Sequence, residues 1–343
     1  MATIRDVAKE SGVSVATVSY VLNNGPRPVS ASARQRVTAA MQRMNYHPNT
    51  VARSLVRGRT HCLGVLLGPV EPEVVTNPYY AGVFSGIFAA SQVVGYDIRI
   101  LTSQMGKDGS EYQIRAQQPD GVLCLVPSQD QKMPPRLEAV GVPVVTIASA
   151  PWEGITGIDV DNQAGARLAM EHLLHLGHRR ITYFMGPATV DSAQQRCQTY
   201  QQILREWEPV ASEQDIVGRD FDWSGAYRAI RERLTQGELP TAFFAFNDTL
   251  AMEAIRAIHD AGLRVPQDIS VVGYDDAPLA PYLTPALTTV RQPLREIGEA
   301  AVKELVRRIE GEAEPGQVHL FAPELIVRSS TAPILRPHPK GGF

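Results

Sequence analysis

Polar side chains follow several apolar runs of this 343-residue chain, where they could bind a small polar ligand. Asn247-Asp248 and Asp275-Asp276 each come directly after such a run. The further polar and aromatic candidates are Asn77, Pro78, Tyr79, Tyr80, Arg196, Phe221 and Trp223. Carboxylate, amide and guanidinium groups beside aromatic rings suit a polyol ring. Asn-Asp and Asp-Asp after a strand could equally cap the next helix, so the pairs alone leave a structural role open.

A second set of candidate side chains lies near the N-terminus, in a pattern of two short helices joined by a turn. Thr3 and Ser14 are suited to cap the helices, and Gly12 is suited to the turn. The outward row of the second helix would be Val15, Ala16, Thr17, Ser19 and Tyr20, above a small core of Val7, Val13, Val18, Val21 and Leu22. Such a row is how a helix-turn-helix contacts the DNA major groove. An ordinary helical hairpin with a solvated row is the alternative.

The positive charge of the chain is concentrated in its first 60 residues. They contain nine Lys and Arg against two acidic residues, a net charge of +7. The remaining residues, with 24 basic and 34 acidic side chains, carry −10, which brings the chain to −3. A basic segment on an acidic body predicts phosphate binding by that segment, although a charged solvated face would give the same count.

From residue 62 onward the chain alternates between apolar strands and helices. Strands are expected near 62–67, 96–101, 120–126, 143–147, 181–185, 242–246, 269–274 and 318–327, and helices near 80–94, 163–176, 192–207, 224–235, 249–261 and 293–309. Apolar strands that alternate with helices predict parallel sheets covered on both faces, and two such series predict two lobes. Ligands of such sheets bind beyond the carboxyl ends of the strands, where the polar candidates lie.

Composition and motifs exclude several classes of protein. Hydrophobic content of 44% and charged content of 20% are typical of a soluble globular protein. We expect no membrane span and no secretory signal, and the three dispersed cysteines predict neither a disulfide framework nor a zinc site. Phosphate-binding, dinucleotide-binding, serine-hydrolase and zinc-protease motifs are not found, so we expect no enzyme activity, no cofactor and no catalytic residue.

One cluster of histidines has spacing compatible with a metal site. His172, His175 and His178 follow Glu171 at intervals of three residues. We interpret them instead as exposed residues at the C-terminal end of a helix, where cations are favourable, with Gly177 ending the helix. No metal is therefore expected.

Short motifs occur in a fixed order along nearly the whole chain. The first 60 residues contain Thr3-Ile4-x-Asp6-Val7-Ala8, Gly12-Val13-Ser14-Val15-x-Thr17-Val18-Ser19-x-Val21-Leu22-Asn23, Val29-Ser30, Arg34-x-x-Val37, Asn45-Tyr46-x-Pro48-Asn49 and Ala52-Arg53-Ser54-Leu55. The rest contains Gly177-His178-Arg179-x-Ile181, Asn247-Asp248, Val265-Pro266-x-Asp268-Ile269-Ser270-Val271-Val272-Gly273-Tyr274-Asp275-Asp276 and Leu325-x-Val327-Arg328-x-Ser330-Thr331. Over about residues 2–332 the chain resembles the lac/galactose repressor family of bacterial transcription regulators.

The resemblance implies an all-α helix-turn-helix head followed by an α/β core. The core would have two lobes of parallel sheets with helices on both faces, like the periplasmic sugar-binding proteins. The expected limits are 1–48 for the head, 49–60 for a hinge helix or linker, 61–332 for the core and 333–343 for a flexible tail. Within the core we expect lobe 1 at about 61–158 and 289–317, and lobe 2 at about 161–287 and 318–332.

The resemblance also implies a set of DNA contacts. Val15, Ala16 and Tyr20 occupy base-contacting positions, and many members of the family have Arg where this chain has Tyr20. The expected phosphate contacts are Thr3, Ser14, Thr17, Ser19 and Asn23. In the hinge, Leu55 matches a residue that wedges into the minor groove and kinks the DNA, and Asn49 and Arg53 complete the set.

For the effector, the resemblance matches most of the polar candidates to lining positions. The expected effector residues are Tyr79, Tyr80, Asp161, Arg196, Phe221, Asn247, Asp248 and Asp275. Asp161-Asn162 resembles an Asp-Asn pair of the family at a position where the chain crosses between the lobes. The chain departs from the family where Pro119 should truncate a helix and where Ala148-Ser149 replaces a polar contact, so the effector stays open.

The sequence therefore predicts a homodimeric repressor in the cytoplasm, associated with the nucleoid, that binds a palindromic double-stranded operator. A small sugar between the lobes would release it from DNA. A corepressor-dependent regulator with a purine or nucleoside ligand is the alternative within the family. A small-molecule-binding protein without DNA function and a sugar-modifying enzyme are the alternatives from other classes, and neither explains the basic head.

Overall fold

The computed structural model describes residues 2–23, 27–46, 59–68, 76–101, 109–127, 132–207, 215–218, 225–314 and 316–334. The chain divides into two compact units, Met1–His61 and Cys62–Phe343. Five residues with predicted roles lie outside the described residues, namely Asn49, Arg53, Leu55, Phe221 and Trp223. Most of the predicted hinge and tail also lies outside them, so the predictions for these segments stay predictions.

The first unit contains helices α1 (Ile4–Ser11), α2 (Val15–Asn23) and α3 (Ala31–Arg43). At the start of α1, Thr3 Oγ1 accepts a hydrogen bond from the Asp6 N–H at 3.4 Å, and the Asp6 carboxylate accepts one from the Thr3 N–H at 2.8 Å. The Ser14 hydroxyl accepts a hydrogen bond from the Thr17 N–H at 3.0 Å. Gly12 ends α1 with a φ of +64°, a conformation that favours glycine. These contacts confirm the predicted caps and turn.

A small apolar core holds the three helices together. Val7, Val18 and Val37 are fully buried, beside the small side chains of Ala8 and Ala40. The half-buried residues packed against them are Ile4, Val13, Val21, Leu22, Met41, Met44 and Tyr46. Because each helix turns one apolar face to this core, the opposite face of α2 lies at the surface.

The described part of the second unit contains two six-stranded sheets. The strands of the first sheet are β1 (Cys62–Leu67), β2 (Asp97–Leu101), β3 (Gly121–Leu125), β4 (Val144–Ile147), β5 (Thr156–Val160) and β11 (Val318–Phe321), in the order β11-β5-β4-β3-β1-β2. Those of the second sheet are β6 (Ile181–Phe184), β7 (Ile216–Val217), β8 (Ala242–Ala245), β9 (Ser270–Asp275), β10 (Thr288–Arg291) and β12 (Glu324–Ile326), in the order β12-β10-β9-β8-β6-β7. All neighbouring strands are parallel except β10 and β12. The predicted core of two parallel sheets is confirmed.

The helices of the second unit lie between the strands along the chain. Those described are α4 (Pro78–Val94), α5 (Ser110–Ala116), α6 (Met133–Ala139), α7 (Asn162–His175), α8 (Asp191–Trp207), α9 (Ala226–Thr235), α10 (Asp248–Asp260) and α11 (Leu294–Glu310). Helix α5 ends three residues before Pro119, which is consistent with the predicted truncation. Among the described helices, none is both long enough and apolar enough to cross a membrane.

Glycines allow the close contact between α4 and α11. A Cβ at Gly86 would lie 1.9 Å from the carbonyl oxygen of Arg295. A Cβ at Gly298 would lie 2.2 Å from the carbonyl oxygen of Val83. Since both atoms are backbone and cannot rotate away, only glycine permits this helix crossing.

The described chain passes between the two sheets after β5, after β10 and after β11. We call each sheet with its helices a lobe: lobe 1 contains the first sheet and lobe 2 the second. The predicted strand 318–327 was wrong, because β11 pairs in lobe 1 and β12 pairs in lobe 2. Pro323 separates them, since it has no N–H for a sheet ladder. The predicted start of lobe 1 at residue 289 was also wrong, because β10 pairs with β9 in lobe 2.

Candidate functional site

Side chains at the carboxyl ends of strands in both lobes line one cavity. It encloses about 530 Å³ of empty space, part of it open to solvent. The lining residues are Asn77, Tyr79, Tyr80, Val126, Ala148, Asp159, Pro187, Val190, Ser192, Arg196, Phe246, Asn247, Asp275 and Gln292. Five predicted effector residues are therefore brought together here, namely Tyr79, Tyr80, Arg196, Asn247 and Asp275. A cleft with convergent polar groups at the carboxyl ends of parallel strands is where such folds bind small molecules.

Arg196 is the cationic group of the lining, and it is 3% exposed. Its Nε–H and one Nη2–H donate to Asn162 Oδ1 at 2.9 and 2.8 Å, and one Nη1–H donates to the Phe246 carbonyl at 2.7 Å. The guanidinium carbon lies 3.5 Å from the centroid of the Tyr274 ring. Three of the five N–H groups are used in this way, so two remain as donors toward a ligand. The side chain is thus fixed in place before any ligand binds.

Two buried carboxyl groups face the same cavity. Asp159 accepts hydrogen bonds from the Val160 N–H at 2.7 Å and from the Asn162 side chain at 3.1 Å. Burial raises the pKa of Asp159 to about 7, against the opposing effect of these bonds and of Arg196. Burial also raises the pKa of Asp275, which accepts a hydrogen bond of 2.6 Å from Gln292 Nε2. Both groups are acceptors that a ligand hydroxyl can reach.

Asn162 links the acidic and basic groups of the cavity. Its Nδ2 donates to Asp159 while its Oδ1 accepts from Arg196, and the residue is 1% exposed. Because one amide fixes both charged side chains, their relative position does not depend on the ligand.

The remaining polar lining is supplied by the ends of two helices. The Asn247 Oδ1 caps α10 by accepting from the Leu250 N–H at 2.9 Å, which leaves its Nδ2 as a donor. The Asn77 Oδ1 caps α4 by accepting from the Tyr79 N–H at 3.0 Å. This cap places Tyr79 and Tyr80 in the lining, with their rings perpendicular at 87° and 5.4 Å between centroids. Burial raises the pKa of Tyr79 well above its usual value, so its hydroxyl stays protonated.

Two predicted effector residues have structural roles instead. Asp161 is not part of the cavity lining, because its Oδ1 caps α7 by accepting from the Ala164 N–H at 2.8 Å. Asp248 is 2% exposed, and both of its oxygens are occupied, by the Thr289 hydroxyl at 2.6 Å and by the Ala277 N–H at 2.6 Å. The sequence left a capping role open for Asp248 but not for Asp161, whereas the structure shows a helix cap at Asp161 and contacts to Thr289 and Ala277 at Asp248.

Several lining residues were missed by the sequence analysis. Asp159 lies in β5, a strand that was not predicted, and Gln292 lies directly after β10, which was not predicted either. Phe246 ends a predicted strand but was not chosen, because an apolar residue there is indistinguishable from the core. The sequence did contain one signal for Asp159, namely an acidic residue inside the apolar run 155–160. A strand covered on both faces tolerates such a residue only near its end.

The predicted DNA-contacting row lies on α2, and its members differ in exposure. Val15 is 42% exposed, Ala16 is exposed, and Thr17, Ser19 and Tyr20 are half-buried. The Ser14 and Thr17 hydroxyls are hydrogen-bonded to each other at 2.9 Å. The Thr3 hydroxyl donates to Asp6 at 2.7 Å, while the side chain of Asn23 lies outside the described residues.

The histidine cluster does not form a metal site. No group of three or more His, Cys, Asp or Glu among the described residues is placed to hold a metal ion. The predicted exposure was wrong for His178, which is buried and bonded to the Ala332 carbonyl at 3.1 Å, and His172 is bonded to the Thr331 hydroxyl at 3.0 Å. Both rings therefore anchor the last described segment of the chain, and burial lowers their pKa.

Two family models match the chain, one for each unit. Residues 3–49 match the model of bacterial regulatory proteins of the lacI family, and residues 170–331 match the model of a periplasmic binding protein-like domain. These matches cover the helix-turn-helix and much of the two-lobed core.

Full-length relatives agree with these matches. The ribose operon repressor of Haemophilus influenzae is 36% identical over 339 residues, which cover 96% of this chain and 98% of the relative. The HTH-type transcriptional repressor PurR of Photobacterium profundum is 33% identical over 335 residues, which cover 96% of this chain and 98% of the relative.

A solved structure of similar fold is the Lac repressor dimer bound to operator and the anti-inducer ONPF. It aligns with a TM-score of 0.84 and 31% identity over 96% of this chain and 99% of that chain. The proteins matched are transcriptional repressors and not enzymes. This chain therefore belongs to the lacI family of bacterial regulatory proteins, as a DNA-binding transcriptional repressor with a core that binds a small-molecule effector.

Proposed function

We propose that the chain is a homodimeric repressor of sugar-utilisation genes that a small, unphosphorylated sugar releases from its operator. The observation that carries this proposal is the buried set of Asp159, Arg196, Asn247 and Asp275 in one cavity. Carboxylates accept hydrogen bonds from sugar hydroxyls, while the guanidinium and amide groups donate to sugar oxygens. Tyr79 and Tyr80 offer apolar ring surface to the C–H faces of the ring.

The charge of the cavity favours a neutral ligand. Two carboxyl groups, of Asp159 and Asp275, stand against the single guanidinium of Arg196 among the lining residues described. A phosphate group would lie beside two acidic side chains, and the two free N–H groups of one arginine would have to bind it alone. A neutral monosaccharide meets no such repulsion.

The two lobes together make the site, which allows a ligand to act as a switch. Lobe 1 supplies Tyr79 and Asp159, and lobe 2 supplies Arg196 and Asn247. A ligand that contacts both lobes prefers the lobe arrangement that fits it. It changes DNA binding only if that arrangement differs from the one that binds operator. We propose that the sugar prefers the arrangement with weak operator binding.

Operator binding is assigned to the head and the hinge. We propose that α2 lies in the major groove, with Val15, Ala16 and Tyr20 against bases and Thr3, Ser14, Thr17, Ser19 and Asn23 at phosphates. In the hinge, Asn49 and Arg53 would contact DNA and Leu55 would wedge into the minor groove. The +7 charge of residues 1–60 and the exposed row on α2 support this assignment. A second copy related by a two-fold axis implies a palindromic operator, and the site of action is the nucleoid in the cytoplasm.

A purine corepressor is the second candidate, favoured by the similarity to a repressor named PurR. A flat purine stacks best between parallel aromatic rings or on one open face. Tyr79 and Tyr80 meet at 87°, so they form a corner and not a parallel slot. The cavity geometry therefore supports the sugar over the purine.

A titration of operator DNA tests both candidates. The full chain is bound to a fluorescent palindromic duplex from upstream of its own gene, and anisotropy is followed as D-ribose, D-glucose, cellobiose, adenine or guanine is added. We expect affinity that falls steeply with salt and release by one of the sugars. Tighter binding with a purine would support the second candidate, and no response to any sugar would contradict the first.

A further inference from the structure

The backbone that carries Asp275 is strained. Asp275 has a φ of +118°, outside the small left-handed region near +60° that L-residues occupy, and Asp276 has a φ of +55°. Neither residue is glycine. Aspartate tolerates a φ near +55°, but +118° is unfavourable unless neighbouring contacts hold it. Asp275, the strained residue, ends β9 and faces the cavity, and Asp276 follows it directly.

Asp276 is held by two arginines from different parts of lobe 2. Its Oδ2 accepts from Arg291 Nε at 2.7 Å, and its Oδ1 accepts from Arg328 Nη2 at 2.6 Å. The Asp276 side chain is 10% exposed and that of Arg328 is 16% exposed, so the second ion pair is poorly screened. Arg328 is itself fixed, because its Nη1 donates to the Leu287 carbonyl at 2.7 Å.

The next residue is anchored from the opposite side. The Ala277 N–H donates to Asp248 at 2.6 Å, and the other oxygen of Asp248 accepts from the Thr289 hydroxyl at 2.6 Å. A Cβ at Gly273 would lie 2.2 Å from that carboxylate, so the strand makes room for Asp248. Contacts within lobe 2 therefore hold the strained turn at Asp276 and again at Ala277.

The ion pair between Asp276 and Arg291 lies next to the point where the chain crosses from lobe 2 to lobe 1 after β10. Arg291 directly precedes Gln292, whose side chain donates to Asp275 at 2.6 Å. Asp276, directly after β9, and Arg291, the last residue of β10, thus join the two strand ends beside the cavity acceptor Asp275 and its hydrogen-bond donor Gln292. An ion pair that served only stability could lie anywhere in the lobe, whereas this one adjoins a strained residue that faces the cavity.

We propose that Asp276, through Arg291 and Arg328, is a positioning residue that holds Asp275 in its strained conformation and thereby sets the affinity for the effector. This inference rests on the proposed function of the cavity. Asp276 does not touch the ligand in this arrangement, because it lines no part of the effector cavity. Its carboxylate acts only on the direction in which Asp275 points.

The test compares Asp276→Asn with the wild-type chain in two measurements. Crystal structures without ligand report the φ of Asp275 and its bond to Gln292. Calorimetric titration with D-ribose, D-glucose and cellobiose reports the affinity of whichever sugar binds the wild type. We expect φ to leave the positive range and the affinity to fall about 10- to 100-fold, as when a group that orients a ligand-binding side chain is lost.

Asp268→Asn is the matched control, because Asp268 also pairs with an arginine of lobe 2, Arg264, but lies before the amino-terminal end of β9, whereas Asp275 lies at its carboxyl end. It should change neither the φ of Asp275 nor sugar affinity. If Asp276→Asn fails to fold, Arg291→Gln is tested instead. This variant removes one of the two cations that pair with Asp276. Because the Arg291 side chain is 47% exposed, we expect sugar affinity to fall only about threefold.

The outcomes separate this inference from the proposed function. An Asp275 that keeps its positive φ and its Gln292 bond in the folded variants overturns the positioning role, whatever ligand binds. A shifted φ in a protein whose wild type binds no sugar supports the positioning role and contradicts the sugar instead. Unchanged sugar affinity together with a shifted φ overturns the link between the conformation and the site.

Discussion

In the head, the hydrogen bonds that cap α1 and α2 join residues three apart along the chain, whereas the bonds that fix Arg196 and Asp275 in the cavity join residues 17 to 50 apart. Thr3 with Asp6 and Ser14 with Thr17 make their bonds within single helix starts. Arg196 is fixed by Asn162 and by the carbonyl of Phe246, which belong to other elements. The helix caps of the head therefore depend on local contacts, and the positions of Arg196 and Asp275 depend on remote ones.

The two regions also treat polar groups differently. The polar caps of the head lie at the surface, where water satisfies any bond that they lack. The cavity holds Asp159, Arg196 and Asp275 away from solvent, so each needs partners within the protein. A substitution in the cavity should therefore cost more than one in the head, and effects in the two regions should be separable.

The largest effect is expected from Arg196→Met. The variant leaves Asp159 and Asp275 without their cation and removes two ligand donors, so we expect sugar affinity to fall about 100-fold or more, which corresponds to roughly 3 kcal/mol. Calorimetry measures this loss, and operator affinity without sugar should not change. Arg205→Met is the control, since Arg205 lies on the same helix at an exposed position. Equal sugar affinity in Arg196→Met would remove Arg196 from the effector site.

A smaller effect is expected from pH. Below pH 7 the buried Asp159 holds a proton, because burial raises its pKa to about 7. A sugar hydroxyl donates more strongly to an ionised carboxylate than to a neutral carboxyl group. Burial raises the pKa of Asp275 to about 7 as well, so sugar binding should release protons from these two groups and affinity should rise up to about 10-fold from pH 6 to pH 8. Calorimetry in buffers of different ionisation enthalpy detects the released proton.

The same shift affects folding with the opposite sign. Because the pKa of Asp159 is raised on folding, its contribution favours the folded state at low pH and is lost as pH rises from about 4 to 7. Asp159→Asn should remove this part of the pH dependence of stability and leave in the affinity profile only the change due to Asp275. Affinity that is independent of pH in the wild type would contradict donation from a ligand hydroxyl to either carboxylate.

The smallest effect is expected from Thr3→Ala in the head. The variant loses the cap of α1, which should lower the free energy of unfolding of the head by about 1 kcal/mol. Amide NMR signals of residues in α1 to α3 measure this during thermal unfolding, and sugar affinity should not change. Thr38→Ala is the control, because Thr38 is exposed in the middle of α3 and caps nothing.

A second variant separates the cap from the proposed phosphate contact of Thr3. Thr3→Asp keeps a capping oxygen but adds negative charge. Head stability should return only in part, because the new carboxylate replaces a hydroxyl that donates to Asp6, and operator affinity should fall below that of the wild type. Recovery of both would contradict a phosphate at this position.

The predicted elements agree best with the structure where the signal is long and apolar. The strand predicted at 62–67 is β1, and the helices predicted at 163–176 and 293–309 agree with α7 and α11 to within one residue at each end. Short elements were missed. Thr156–Val160 contains Gly157 and Asp159, and Met133–Ala139 contains two prolines, so neither has the composition typical of its element.

For the cavity, the types of side chain were predictable from the sequence, but their hydrogen-bond partners were not. Tyr79, Arg196 and Asp275 were chosen because polar residues after buried strands gather at one edge of a parallel sheet. The same argument selected Asp248, whose carboxylate is fully used by Thr289 and Ala277. A sequence does not show whether the carboxylate oxygens of an aspartate after a strand are free, because its hydrogen-bond partners can lie more than 25 residues away along the chain, as they do for Asp248.

The sequence by itself determined the head, the alternation of strands and helices, and the types of group available for a ligand, since caps, periodicity and charge depend on neighbours a few residues apart. Only the tertiary structure decided which carboxyl groups face the cavity, that Asn162 orients two charged residues at once, and that β11 and β12 belong to different lobes. These features depend on contacts between residues that are distant along the chain, and such contacts form only when the chain folds into its two sheets.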